Sequence, residues 1–119
     1  MNNRQIKFRV WDNRNKNCVG GPFEAKFLNN PEYTVQQFTG LTDQNGKEIY
    51  EGDILTVYNA TYKEYHWGEV IWRKDLFGFY FERIEIGLYY ICLSDLGKRY
   101  DRDWHKLGNK FEHPELLRK

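Results

Sequence analysis

No segment of this chain sustains the 3.6-residue apolar period of an amphipathic helix. Its apolar residues fall instead into short runs rich in β-branched and aromatic side chains, separated by turn residues. Ile6, Phe8 and Val10 alternate with Lys7, Arg9 and Trp11, the period of a half-buried strand. Further strand-like runs cover Tyr33–Thr39, Lys47–Tyr50, Ile54–Tyr58, Glu69–Arg73, Gly78–Glu82 and Gly87–Leu93. Phe23–Leu28 and Trp104–Leu107 are shorter candidates. Asp12–Asn17 reads as a polar turn, Asn29-Asn30-Pro31 as a break, and Asn45-Gly46 as the tip of a hairpin. A second hairpin turns at Lys74–Phe77, while Asn59–His66 and Ser94–Arg102 read as exposed loops. His113–Leu117 reads as a helical turn, because Pro fits a first helical position. This spacing of strands and turns predicts one mainly β domain over residues 1–119. The expected architecture is a small antiparallel barrel, SH3-like or related, with a short C-terminal helical turn.

A chain of 119 residues is long enough to bury one core without staples. No apolar run approaches the roughly 18 residues that span a bilayer. The start, MNNRQIKFRVW, lacks the apolar stretch of a secretory signal. Cys18 and Cys92 stand far apart and suit two free thiols in a reducing cytosol. The expectation is a cytoplasmic protein without a membrane partner.

The net charge of +1 conceals an uneven distribution. Residues 1–18 carry five Lys/Arg and one acid, residues 19–97 six and twelve, residues 98–119 seven and four. Two readings follow. Either the basic ends pack against the acidic middle, within one chain or between subunits, or they form a patch for nucleic acid. The first is preferred, because a sequence-independent binder of DNA usually presents a net basic face.

Candidates for chemistry are few. Asp43-x-Asn45-Gly46 resembles half of a calcium loop, but Gly arrives too early and Lys47 stands where an acid or amide is needed. Asp101, Asp103 and His105 have a spacing that one strand face could use for a metal, yet Lys98, Arg99, Arg102 and Lys106 crowd them. Glu64, His66 and Glu69 could serve as acid and base, but lie in or beside the most loop-like stretch. Cys92 reads as a buried thiol, and Cys18 has no activating base. The glycines are scattered as turn formers, without a phosphate loop. No enzyme activity, cofactor, metal or small-molecule substrate is expected.

One stretch is more specific. Gln37–Leu55, QFTGLTDQNGKEIYEGDIL, resembles the signature of the YopX family of small phage and prophage proteins. The resemblance rests on Phe38 to Leu41, Asp43, and Asn45 to Ile54. Lys7–Asp12 is similar to the family's opening motif and Gly68-Glu69-Val70 to its middle strand. Leu107–Leu117 is similar to its closing motif, with His113 where Asn is usual. Residues 56–106 otherwise match loosely. The resemblance implies a β-rich fold, a phage or prophage origin in a bacterial host, and no catalytic residues to carry over. Physically, Gly40, Gly46 and Gly52 turn the chain, and Leu41, Ile49 and Ile54 point to a core.

The expectation is therefore an accessory protein that binds a macromolecule. A protein partner is preferred, whether host, phage or a second copy, with homo-oligomers expected from free strand edges. The alternative is weak, salt-dependent nucleic-acid binding through the basic termini. The candidate contact residues are Arg9, Trp11, Tyr50, Asp53, Lys98, Arg99, Arg102, Trp104 and Lys106. Arg4, Lys7 and Arg14 would extend a basic stripe, with Trp11 and Trp104 as stacking platforms.

Overall fold

The computed structural model describes residues 5–83, 90–99 and 103–117. Nine strands account for most of them: β1 (Phe8–Asp12), β2 (Asn17–Val19), β3 (Tyr33–Thr42), β4 (Glu48–Tyr50), β5 (Asp53–Asn59), β6 (Glu64–Arg73), β7 (Gly78–Arg83), β8 (Tyr90–Cys92) and β9 (Trp104–Asn109). The fold is mainly β, and every described strand pair is antiparallel. The strands divide into a four-stranded sheet, β2-β1-β3-β4, and a five-stranded sheet, β8-β7-β6-β5-β9. One of the two curls into a half-barrel.

The strand β3 serves two partners because it bends. Its first half pairs with β1, from Phe8↔Gln37 to Asp12↔Tyr33. Its second half pairs with β4 across a register shift between Phe38 and Thr42, where Gly40 takes φ +88°. The expected hairpin follows, with Thr42 opposite Glu48 and Gly46 at φ +80°. Strand β5 is central, between β6 and β9, and is buried from Asp53 through Val57. The core joins Ile49, Leu55, Val57, Val70, Phe81, Leu93 and Leu96, with Leu41, Phe79, Ile91 and Trp104 packed against it. Burying each such aliphatic or aromatic side chain contributes about 1.5–3 kcal/mol.

Three local expectations change. Phe23–Leu28 is not a strand: Ala25–Phe27 makes a 3-10 turn that drives Phe27 edge-on against Tyr33 at 4.9 Å. The strand here is β2, laid back on β1 by the polar turn, with Val19 opposite Val10. The loop at Asn59–His66 shrinks, since β6 already begins opposite Asn59 at Glu64. Asn59 Oδ1 accepts from the N–H groups of Thr61 and Tyr62, and Lys63 takes φ +54°, which reverses the chain tightly. Ser94–Arg102 also holds structure, a 3-10 turn at Leu93–Asp95 and the helical turn α1 (Leu96–Arg99). Two leucines three residues apart, Leu93 and Leu96, anchor it to the core. The C-terminal turn expected at His113–Leu117 is a 3-10 turn over Pro114–Leu117. Residues 87–89 of the expected eighth strand lie outside the described residues.

Gly52 has the tightest requirement of the signature glycines. Its φ is +87°, and an added Cβ would stand 2.2 Å from Gln36 Nε2. Gly46 shares the positive φ but faces open space. We expect Gly46→Ala to cost about 1–2 kcal/mol from backbone strain alone. Gly52→Ala should cost about 1–3 kcal/mol more, because Gln36 must also shift. Urea denaturation of the two variants beside the parent checks the order; equal losses would show that the close approach does not matter.

Candidate functional site

The two sheets meet around the Glu51-Gly52-Asp53 step. Asp53 is fully buried at the head of β5. Its Oδ1 accepts from Arg9 Nη2 at 2.8 Å, and its Oδ2 accepts from the Tyr50 N–H at 2.8 Å and lies 3.2 Å from Lys106 Nζ. Arg9 also donates from Nε to Gln36 Oε1 at 2.7 Å, and its guanidinium lies 4.8 Å from the centre of the Tyr50 ring. Lys106 Nζ donates to the Glu48 carbonyl at 3.0 Å, and Lys7 pairs with the Glu48 carboxylate. One carboxylate therefore ties β1, β4 and β9 to β5.

Asp43 makes a second tie. Its Oδ1 accepts from the N–H groups of Asn45 and Lys47, closing the hairpin, and its Oδ2 accepts from the Lys106 N–H at 2.8 Å. Next to it, Gln44 Oε1 accepts from the Trp104 N–H at 2.9 Å. Burial works to raise the Asp43 pKa, but the N–H groups of Lys106, Lys47 and Asn45 outweigh it and hold the carboxyl below its ordinary value.

These contacts place most of the residues singled out in the sequence. The basic ends meet the acidic middle within one chain: Lys7 with Glu48, Arg9 and Lys106 with Asp53, Lys110 with Glu69 at 3.1 Å. Asp53 is thus not an exposed contact residue; both its oxygens are occupied inside the molecule. Trp11 is buried and stacks on Phe111 at 5.6 Å, so it offers no open face for a base. Trp104 is half-buried against the core. Tyr50 is half-buried beneath Arg9. Lys98 is exposed, 3.9 Å from Asp95. Arg4, Asp101, Arg102 and the Arg99 side chain lie outside the described residues.

Of the chemistry candidates, Glu64 and His66 come together at 2.8 Å, while Glu69 turns to Lys110. Asp103 accepts from the Tyr65 hydroxyl at 2.6 Å and lies 2.9 Å from His105 Nδ1, contacts that hold its carboxyl below the ordinary value. Among the described residues, no three His, Cys, Asp or Glu side chains gather as a metal site.

The recess that the sequence did not announce is a cleft of about 390 Å³ beside the Asp53 tie. Val35 and Gln36 of β3 form one wall, and Glu69 to Trp72 of β6 form another. Gly52 and Phe111 border it between them. Gln36 is almost wholly buried there, and its Nε2 meets no acceptor among the described residues. Trp72 stands half-open at the other side, edge-on to Phe79 at 5.0 Å.

Comparisons with known proteins agree with this architecture. The family model described as YopX protein matches residues 8–118. A crystal structure of protein EF1440 from Enterococcus faecalis superimposes with a TM-score of 0.62 at 24% identity, covering 97% of this chain and 99% of that one. That likeness bears on the fold alone. No curated protein matches the chain.

Asp43 supplies a pH prediction. Because its folded pKa is depressed, its contribution is fully present above the unfolded value of about 3.9 and is lost as pH falls through the folded pKa. Asp43→Asn should cost about 1–3 kcal/mol at neutral pH, by exchanging a charged multiple acceptor for an amide. The gap between variant and parent should narrow below about pH 4. Denaturant melts from pH 7 to 3 check it; a gap that stays constant would remove the carboxylate from the account.

Proposed function

The chain belongs to the YopX family, and from that premise we propose that it is a protein-interaction module, an accessory protein of a phage or prophage acting in the bacterial cytoplasm. The observation that carries this reading is the cleft between the sheets, which combines a half-open tryptophan, a buried amide that meets no acceptor among the described residues, and walls of mixed polar and apolar side chains. Its volume of about 390 Å³ is enough for a few side chains of a partner.

Binding rather than catalysis fits the titratable groups. Glu64 with His66, Asp103 with Tyr65 and His105, and Glu69 with Lys110 are each engaged within the fold. The nucleic-acid alternative loses support from the same ion pairs. Arg9, Lys7 and Lys106 turn to carboxylates of the chain rather than to one open basic stripe. Among the described residues, no helix is long and apolar enough to cross a membrane.

Affinity capture from a bacterial host lysate, with and without nuclease, tests the reading. We expect a protein partner that survives nuclease and is lost with Trp72→Ala, or a second copy seen by light scattering at about tens of micromolar. Recovery of nucleic acid alone, with every captured protein released by nuclease, would overturn it.

A further inference from the structure

Among the described residues, two strand edges in the cleft pair with no other strand. Along β3, the Phe38 N–H donates to the Lys7 carbonyl and the Asn13 N–H to the Glu32 carbonyl. Bonding to β1 therefore falls to the even-numbered residues, and the backbone of Val35 faces the other way. That is the side on which Gln37 exchanges hydrogen bonds with Glu51, through its carbonyl and its N–H. Along β6, the Gly52 N–H donates to the Val70 carbonyl at 2.7 Å. Two residues further on, Trp72 turns its N–H and C=O to the same side, beyond the start of β5. Among the described residues, no strand pairs with Val35 or Trp72 on that side. Both border the same cleft.

The geometry points to strand addition: an extended segment of a partner protein, carrying Lys or Arg, docks in this cleft and exchanges backbone hydrogen bonds with Val35 and Trp72. This rests on the protein-interaction reading above. Backbone pairing supplies affinity in such docking, and side-chain recesses supply selectivity. The charge is set by the rim. Of the charged residues that line the cleft, Glu69 pairs with Lys110, and Glu51, which among the described residues accepts only the Gln37 N–H, leaves one negative charge for a basic side chain to meet. The half-open Trp72 ring offers that cation a face as well. Gln36 adds the polar contact. Its Oε1 is held by Arg9, so its amide orientation is set, and the Nε2 gains an acceptor when a peptide carbonyl enters.

The test uses the full chain and a phage-displayed library of random dodecapeptides. Enriched peptides are synthesised and titrated by tryptophan fluorescence, and amide exchange is followed by NMR. We expect enriched sequences to carry Lys or Arg, and the Val35 and Trp72 amides to exchange at least about tenfold more slowly when bound. Val35→Pro removes an N–H that faces the cleft and leaves the β1 ladder intact. It should weaken binding on the order of tenfold, as the loss of one backbone hydrogen bond implies. Glu69→Lys leaves the backbone untouched and should weaken basic peptides by a similar factor. Peptides that bind while both amides keep their free exchange rates would overturn strand addition. So would slowing of the two amides on raising protein concentration alone, which assigns the cleft to a second copy. If lysate proteins are captured but no peptide is enriched, strand addition fails and the interaction reading stands. If neither binds, both fall.

Discussion

A fully buried carboxylate must be balanced, and the balancing of Asp53 joins the two sheets. Removing a carboxylate from water costs several kcal/mol after relaxation, so an unpaired charge would not persist there. Arg9 reaches it from β1, Lys106 from β9, and the Tyr50 N–H from the end of β4. Each cation is held again elsewhere, Arg9 by Gln36 and Lys106 by the Glu48 carbonyl. The result is a network with little freedom, of the kind that selects one packing among several. Gly52 belongs to the same device, because only a residue without a side chain lets the chain pass over Gln36 on its way into β5.

The same logic recurs at the other turns. Asp43 closes one hairpin and holds β9 through the Lys106 N–H. Asn109 accepts from the N–H groups of Phe111 and Glu112 and donates to the Glu112 carboxylate, which steers the chain into its last turn. The carbonyl of Leu116 in that turn accepts from the Trp67 indole at 3.0 Å. The polar residues most specific to the family signature are therefore mainly structural. In the proposed function, recognition falls to the cleft that these residues border.

Much of this was legible along the chain because it is local. The hairpin at Asn45-Gly46, the strands β5 and β7, the second half of β6, and the turning glycines all follow from period and turn chemistry. The preference for basic ends meeting an acidic middle also matches the ion pairs found. What stayed hidden depends on distance. A carboxylate opening a strand reads as solvent-facing until Arg9, 44 residues away, is seen beside it. Gln36 did leave a signal, since it shares its face of β3 with buried Phe38. The free edges at Val35 and Trp72 left none: they arise where one strand outruns its neighbour, which only the register reveals.

The central claim is that Asp53 and Arg9 act as a tie between sheets. A double-mutant cycle with Arg9→Met, Asp53→Leu and the double variant, read by denaturant unfolding, tests it most directly. Asp53→Leu should destabilise by about 3–5 kcal/mol, since it leaves both Arg9 and Lys106 without their carboxylate, and Arg9→Met by less, since Lys106 still faces Asp53. The double variant should recover much of that loss, giving a coupling energy above about 2 kcal/mol. Losses that add to within about 0.5 kcal/mol would contradict the account.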